Sequence, residues 1–215
     1  MHIENEYVKI PINELVLEGN LNIPQGAKGL VIFAHGSGSS RFSPRNNFVA
    51  QKLQSNGLAT LLMDLLTQEE EKVDVRTRQF RFNIKLLSER LVGVLRWVKS
   101  NESTKSLKVG YFGSSTGAAA ALIAAALEKN VDAIVSRGGR TDLAGSYLPQ
   151  VEAPTLLIVG SNDVMVLNLN KETLNQLKTE KNLEIISGAS HLFEEPGTLE
   201  QVAERSADWF KTYFE

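Results

Sequence analysis

Two hydrophobic patterns alternate along the chain from about residue 30. Short, continuous apolar runs, such as residues 30–34 and 59–65, are typical of strands covered on both faces of a sheet. Between them lie longer segments with apolar residues every three or four positions, which predict amphipathic helices. Further strands are predicted at residues 109–112, 133–135, 155–159 and 183–186, and helices at 44–56, 76–99, 118–127, 170–177 and 198–214.

The first 23 residues follow a different pattern. Residues 7–12 and 15–23 alternate apolar and polar side chains, which predicts two antiparallel strands at a sheet edge. The strand–helix alternation after them predicts a mostly parallel sheet of about eight strands with helices on both faces. We therefore expect one α/β domain over residues 1–215. The acidic run in residues 67–74 is interpreted as a solvated loop rather than a metal site.

Composition narrows the classes of function. The net charge of −2 argues against a general nucleic-acid binder, which is normally basic. The chain has no cysteine, which excludes disulfides, cysteine-ligated zinc and a cysteine nucleophile. Residues 1–6 do not resemble a signal peptide, and no apolar run reaches the roughly 20 residues that span a bilayer. We expect a cytoplasmic monomer or homodimer with no membrane partner.

The most informative stretch is residues 107–117, where a short apolar strand leads into Gly113-Ser114-Ser115-Thr116-Gly117 and an alanine-rich helix. This order places Ser115 at the centre of G-x-S-x-G between a strand and a helix. A serine on such a tight turn is exposed as a nucleophile, and larger residues than the flanking glycines would collide with neighbouring backbone. The motif alone also occurs by chance, so an acid and a base are needed.

Two later loops supply candidates for those groups. Asp163 follows the strand at 155–159, and His191 follows the last strand, which gives the order nucleophile, acid, base. His191 would accept the proton of Ser115, and Asp163 would orient the imidazole. Asp142, which follows the preceding strand, is the alternative acid. His2 and His35 are less well placed to be the base.

The first glycine-rich loop, His35-Gly36-Ser37-Gly38, follows the strand at residues 30–34. Backbone N–H groups of Ser37 and Thr116 are the predicted donors of an oxyanion hole.

These motifs resemble the α/β-hydrolase superfamily and, more narrowly, its dienelactone-hydrolase-like group. The resemblance rests on VIFAHGSGSSR at 31–41, GYFGSSTG at 110–117, LLIVGSND at 156–163 and GASHLF at 188–193. It implies hydrolysis of esters or related acyl compounds without a metal or other cofactor. Dienelactone hydrolases use a cysteine nucleophile, whereas this chain has Ser115, so the resemblance favours a serine carboxylesterase.

Substrate contacts are less well defined by the sequence. The stretch between residues 135 and 154 is too short for a helical cap, which predicts an open, shallow site for small soluble esters. Arg41, Arg137 and Arg140 follow strand ends and could hold a substrate carboxylate or phosphate. The alternative is that each arginine pairs with a structural acid such as Asp64 or Asp142.

The leading hypothesis is a serine hydrolase of small carboxylic esters, thioesters or lactones. Acyl transfer to an alcohol or amine uses the same acyl-enzyme, so the sequence does not separate it from hydrolysis. A hydrolase-fold protein that only binds a small ligand is the remaining alternative.

Overall fold

The computed structural model describes residues 5–215, so the predictions for residues 1–4, including His2 and the lack of a signal peptide, lie outside the described residues. Eight strands in the described residues form one sheet. They are β1 (Asn5–Ile12), β2 (Leu15–Asn22), β3 (Gly29–Ala34), β4 (Ala59–Met63), β5 (Lys108–Ser114), β6 (Ala133–Arg137), β7 (Thr155–Gly160) and β8 (Lys181–Ile186).

The strands lie in the order β1-β2-β4-β3-β5-β6-β7-β8. β1 pairs with β2, and β2 with β4, in antiparallel fashion, and all other pairs are parallel. The predicted mostly parallel sheet with an antiparallel edge is confirmed. β5 lies near the middle, so a residue at its carboxyl end is reached by loops from both sides.

Helices cover both faces of the sheet. They are α1 (Pro44–Ser55), α2 (Gln68–Thr77), α3 (Ile84–Ser100), α4 (Thr116–Leu127), α5 (Val164–Gln176) and α6 (Thr198–Phe214), together with a 3₁₀ segment, Thr141–Gln150, kinked at Gly145. One core contains buried residues of α3 and α4, and a second contains those of α1 and α6. No helix among residues 5–215 is both long enough and apolar enough to cross a membrane.

The acidic run predicted as a loop is the first turn of α2. The Thr67 hydroxyl accepts a hydrogen bond from the Glu70 N–H at 3.2 Å, and the Glu70 carboxylate accepts one from the Thr67 N–H at 2.8 Å. This reciprocal capping satisfies two free N–H groups, and carboxylates are favoured at the positive end of the helix dipole. The carboxylate of Glu70 is also held by both terminal nitrogens of Arg90, at 2.6 and 3.0 Å.

The single helix predicted at residues 76–99 is divided into α2 and α3. The chain leaves α2 at Arg78, which is left-handed with φ of 57°, and Asn83 caps the start of α3. Buried Asp74 accepts hydrogen bonds from the backbone N–H groups of Phe80 and Arg81 and from Arg81 Nε. These bonds stabilise the turn that helical periodicity did not reveal. The predicted helix at 170–177 likewise begins earlier, at Val164.

Candidate active site

Ser115 is the one residue between β5 and α4, and its backbone is strained, with φ of 50° and ψ of −120°. The flanking glycines are required by close approach. A Cβ on Gly113 would overlap Ala118, and one on Gly117 would overlap the carbonyl oxygens of Ala34 and His35. The turn therefore brings α4 against β3 as well as β5. This close packing is possible because glycine has only a hydrogen atom in place of a side chain at these two positions.

Hydrogen bonds hold the strained turn in place. The Ser115 N–H donates to the Arg137 carbonyl at 3.2 Å, and the Ser115 carbonyl accepts from the Arg140 N–H at 3.0 Å. Left-handed backbone at a residue other than glycine costs on the order of 1–3 kcal/mol and persists where the surroundings fix it. The loop after β6 is thus part of the support for Ser115.

His191 and Asp163 lie together, with 2.6 Å between His191 Nδ1 and Asp163 Oδ2. The Asp163 side chain is 12% exposed and that of His191 38%, so the imidazole is open to a ligand while the carboxylate is largely covered. An Nδ1–H that donates to the carboxylate leaves Nε2 of a neutral imidazole as an acceptor. Asp142 is held by Arg140 Nε and Nη2, both at 2.9 Å.

The loops after β3, β5, β6 and β8 come together around Ser115 and His191. A Cβ on Gly138 would lie 3.4 Å from His191 Nδ1, and one on Gly36 would lie 3.2 Å from Ser115 Cβ. Gly138 therefore borders the candidate base, and Gly36 borders the candidate nucleophile. Among the described residues, the Ser115 hydroxyl makes no hydrogen bond with His191. Catalytic hydrogen bonds are often long in a free enzyme and tighten when substrate binds.

The two predicted oxyanion donors, Ser37 and Thr116, are in direct contact. The Ser37 N–H donates to the Thr116 hydroxyl at 2.9 Å. The loop around Ser37 is a tight turn, closed by the Ser39 N–H donating to the Gly36 carbonyl at 3.2 Å. In the free protein the Ser37 N–H is thus bound by the Thr116 hydroxyl oxygen, which positions this loop beside Ser115.

His35 has a structural environment. Its Nδ1 donates to the Gly36 carbonyl at 2.9 Å, and its Nε2 accepts from the Leu65 N–H at 3.1 Å. Burial lowers the pKa of His35, because the charged form would lose its hydration. A neutral imidazole with both ring nitrogens engaged is not available as a base, and it connects the loops that follow β3 and β4.

Two of the three predicted substrate-binding arginines form ion pairs. Arg41 binds the carboxylates of Glu18, at 2.8 Å, and Asp64. Arg140 binds Asp142, and this hydrogen bond raises the pKa of Arg140. Asp64 and Asp142 are the structural acids that the sequence offers as the alternative partners.

Arg137 differs from the other two arginines. It is 8% exposed, and its Nη1 has no hydrogen-bond partner among the described residues. Burial, together with a smaller effect of the nearby Arg45 charge, lowers the pKa of Arg137 to about 10. An unpaired buried guanidinium is costly, so this side chain is the candidate for an additional role.

Comparison with known families matches residues 17–215 to the Dienelactone hydrolase family. The chain belongs to the dienelactone hydrolase family. A solved dienelactone hydrolase from Anabaena variabilis is 58% identical, covers 99% of both chains and superposes with a TM-score of 0.98. An α/β serine hydrolase homologue from Coxiella burnetii is 25% identical, covers 97% of this chain and 98% of its own, and has a TM-score of 0.77.

Relatives of this family also occur in longer proteins. Two Mycobacterium tuberculosis proteins, provisionally named phosphoribosyl transferases, are 52% identical over 209 residues, which is 97% of this chain and 46% of theirs. The chain therefore spans about half the length of the curated relatives it matches.

One group beside the site was missed by the sequence analysis. Arg81, fixed by Asp74, packs against the oxyanion loop, and its Nη1 lies 3.0 Å from where a Cβ on Gly38 would be. Gly38 is left-handed, with φ of 71°, a conformation in which a side chain would be strained and would press on Arg81. No motif marks this contact. It depends on the turn between α2 and α3, which was predicted as continuous helix.

Proposed function

We propose that this protein hydrolyses carboxylic esters, or the related thioesters and lactones, through a covalent intermediate on Ser115. The observation that carries the proposal is the 2.6 Å contact between His191 Nδ1 and Asp163 Oδ2 beside the strained Ser115 turn. Membership of a hydrolase family supports the same reaction class.

In this mechanism His191 Nε2 accepts the hydroxyl proton of Ser115 as Oγ attacks the carbonyl carbon. The tetrahedral oxyanion accepts from the Thr116 N–H and from the Ser37 N–H, which the Thr116 hydroxyl oxygen holds in position. His191 then protonates the leaving alcohol. Water hydrolyses the resulting acyl-serine by the same steps in reverse order. Asp163 holds the imidazole and stabilises its protonated form, and no cofactor takes part in these steps.

Of the three arginines, Arg137 is our proposed contact for an anionic group on the substrate. Arg41 and Arg140 are already neutralised by carboxylates, so an added anion gains less there. Acyl transfer to an alcohol or amine remains the second candidate reaction, since it begins with the same acyl-serine.

The decisive experiment is labelling with a fluorophosphonate, followed by a panel of p-nitrophenyl esters. Wild-type protein should be labelled and hydrolyse short-chain esters, and Ser115→Ala should lose both properties. Ser103→Ala, at an exposed serine in the turn before β5 and so at the opposite end of that strand from Ser115, is the matched control and should behave as wild type. Adding glycerol or an amine distinguishes the two reactions, because hydrolysis releases the free acid whereas acyl transfer gives the new ester or amide. Labelling that persists in Ser115→Ala would refute the assignment.

A further inference from the structure

A cavity of about 780 Å³, here called the side cavity, opens beside the oxyanion loop. Its walls come from β2, from residues 38–44, from the segment after β4 and from α2. The volume is in the range of sites that enclose drug-sized ligands. The shallow site predicted from the short 135–154 segment does not account for this space, which lies on the other side of the sheet centre.

The sheet order fixes where the side cavity lies relative to the reaction. Asp163 and His191 follow β7 and β8 on one side of β5, whereas β4 and β2 lie on the other side. The oxyanion loop separates the two regions. On one side of this loop, Gly36 lies against Ser115 and Ser37 binds Thr116. On the other side, the neighbouring residues His35 and Gly38 line the cavity.

The side cavity has apolar walls. Val16, Phe42 and Val75 are exposed to 49%, 64% and 64%, although all three are apolar, and buried Leu66 lies with them. Covering such surface is worth roughly 25 cal/mol per Å². Apolar side chains gathered around one cavity therefore favour an apolar ligand group, most simply an aromatic ring.

Its charges favour a cation. The lining contains three carboxylates, on Glu18, Asp64 and Glu71, against two cationic side chains, on Arg41 and Lys72. Arg41 is shared by Glu18 and Asp64, and Lys72 pairs with Glu69 outside the cavity. Glu71 has no ion pair within the described part of the chain, so it is the acceptor that a ligand could use.

We propose that the side cavity is the subsite for the remote end of the acyl group, and that it takes an apolar ring bearing an ammonium or N–H donor that binds Glu71. The assignment rests on the proposed ester hydrolysis. His191 must protonate the leaving alcohol, which places that alcohol on the β7–β8 side. The acyl substituent lies on the opposite side of the carbonyl carbon and so extends past Gly38.

The kinetic test compares p-nitrophenyl acetate, p-nitrophenyl phenylalkanoates of increasing chain length, and the same esters with an aminomethyl group on the ring. Val75→Trp, which fills the cavity from exposed α2, should lower kcat/KM about tenfold for both aryl series and leave acetate unchanged. Glu71→Gln should lower it about tenfold for the aminomethyl series alone. Leu127→Trp and Glu89→Gln are matched exposed controls outside the cavity. Equal effects on all esters, or none, would overturn the proposal.

A binding test keeps the side cavity separate from the proposed reaction. The ligand is the primary amide of the phenylalkanoic acid that carries the aminomethyl group on its ring, because this amide lacks the reactive ester. It is titrated calorimetrically into Ser115→Ala and into the double variants that add Val75→Trp or Glu71→Gln. Weaker binding in both double variants supports the subsite. Unchanged binding refutes it, whether or not Ser115 reacts. If Ser115 fails to react but the amide still binds through Glu71 and Val75, then the proposed hydrolysis is wrong and the ligand site stands.

Discussion

His191 Nδ1 lies 2.6 Å from Asp163 Oδ2, although 27 residues and helix α5 separate the two along the chain. They meet because β7 and β8 are adjacent parallel strands whose carboxyl ends lie at one edge of the sheet. Asp142, the other candidate acid, is bound to Arg140 instead. The geometry therefore gives the two carboxylates different expected roles.

Asp163→Asn should reduce kcat for ester hydrolysis on the order of 10³–10⁴-fold, because an amide favours the wrong imidazole tautomer and does not stabilise the cation. Asp142→Asn should cause a much smaller loss. Steady-state kinetics, with near-ultraviolet circular dichroism to show that both variants fold, would check this. The reverse ranking of the two variants would make Asp142 the acid.

The backbone of Ser115 leads to a prediction about stability. Ser115→Gly removes both the nucleophile and the left-handed strain, whereas Ser115→Ala removes the nucleophile only. The glycine variant should therefore unfold with a free energy about 1 kcal/mol higher than the alanine variant. Urea denaturation of the two inactive variants measures the difference. Equal stabilities would mean that the turn is not strained.

The hydrogen bond from the Ser37 N–H to the Thr116 hydroxyl can be tested by isosteric substitution. Thr116→Val keeps the shape of this buried side chain but removes the acceptor that positions the oxyanion loop. We expect kcat to fall about tenfold with little change in KM, because one oriented oxyanion donor is worth about 3 kcal/mol and would be only partly lost. Thr116→Ser should retain activity. A faster Thr116→Val would show that the hydroxyl competes with the oxyanion.

Much of this architecture follows from local sequence. Apolar runs located the strands, the G-x-S-x-G motif selected Ser115, and the order of the later loops selected Asp163 and His191, with Asp142 as the alternative acid. The failures have physical causes. A helix that begins with Thr67 and Glu70 was predicted as a loop, although the T-x-x-E capping pattern is present. The break between α2 and α3 depends on Asp74, whose bonds to Phe80 and Arg81 span only six and seven residues but have no periodic signature.

Charged contacts show the same limit. Sequence treats Arg41, Arg137 and Arg140 alike, since all three follow strands. Only packing reveals that two of them meet acids, whereas Arg137 meets none in the part of the chain that the structure describes. The side cavity is equally hidden, because it is formed by segments from residue 16 to residue 75 that no motif connects.

His35 predicts a specific pH dependence of stability. Its pKa is lowered by burial in the folded protein, so below about pH 6.5 the unfolded chain binds a proton that the folded protein resists. The free energy of unfolding therefore keeps its full value above that pH. It decreases as pH falls below it, by at most about 1.4 kcal/mol per pH unit. His35→Gln should flatten the decline between about pH 7 and pH 5, as urea unfolding at each pH would show. Parallel curves for both proteins would contradict the prediction.

Arg137 combines a predicted cost in stability with a predicted benefit in binding. The lowered pKa, about 10, means that folding disfavours the charged form, so the cost is fully present near neutral pH. It begins to decrease only as pH rises above that value and disappears once the unfolded chain also loses the proton. Arg137→Met replaces the buried charge with an apolar chain of similar length and should raise the free energy of unfolding by about 1–4 kcal/mol. The same variant should raise KM about tenfold for an ester that bears a free carboxylate and leave KM for a neutral ester of equal size unchanged.

Arg137→Lys, which keeps a buried charge, is the control and should not gain stability. If Arg137→Met is less stable than wild type and loses activity toward both esters equally, then the guanidinium supports the Ser115 turn rather than the substrate.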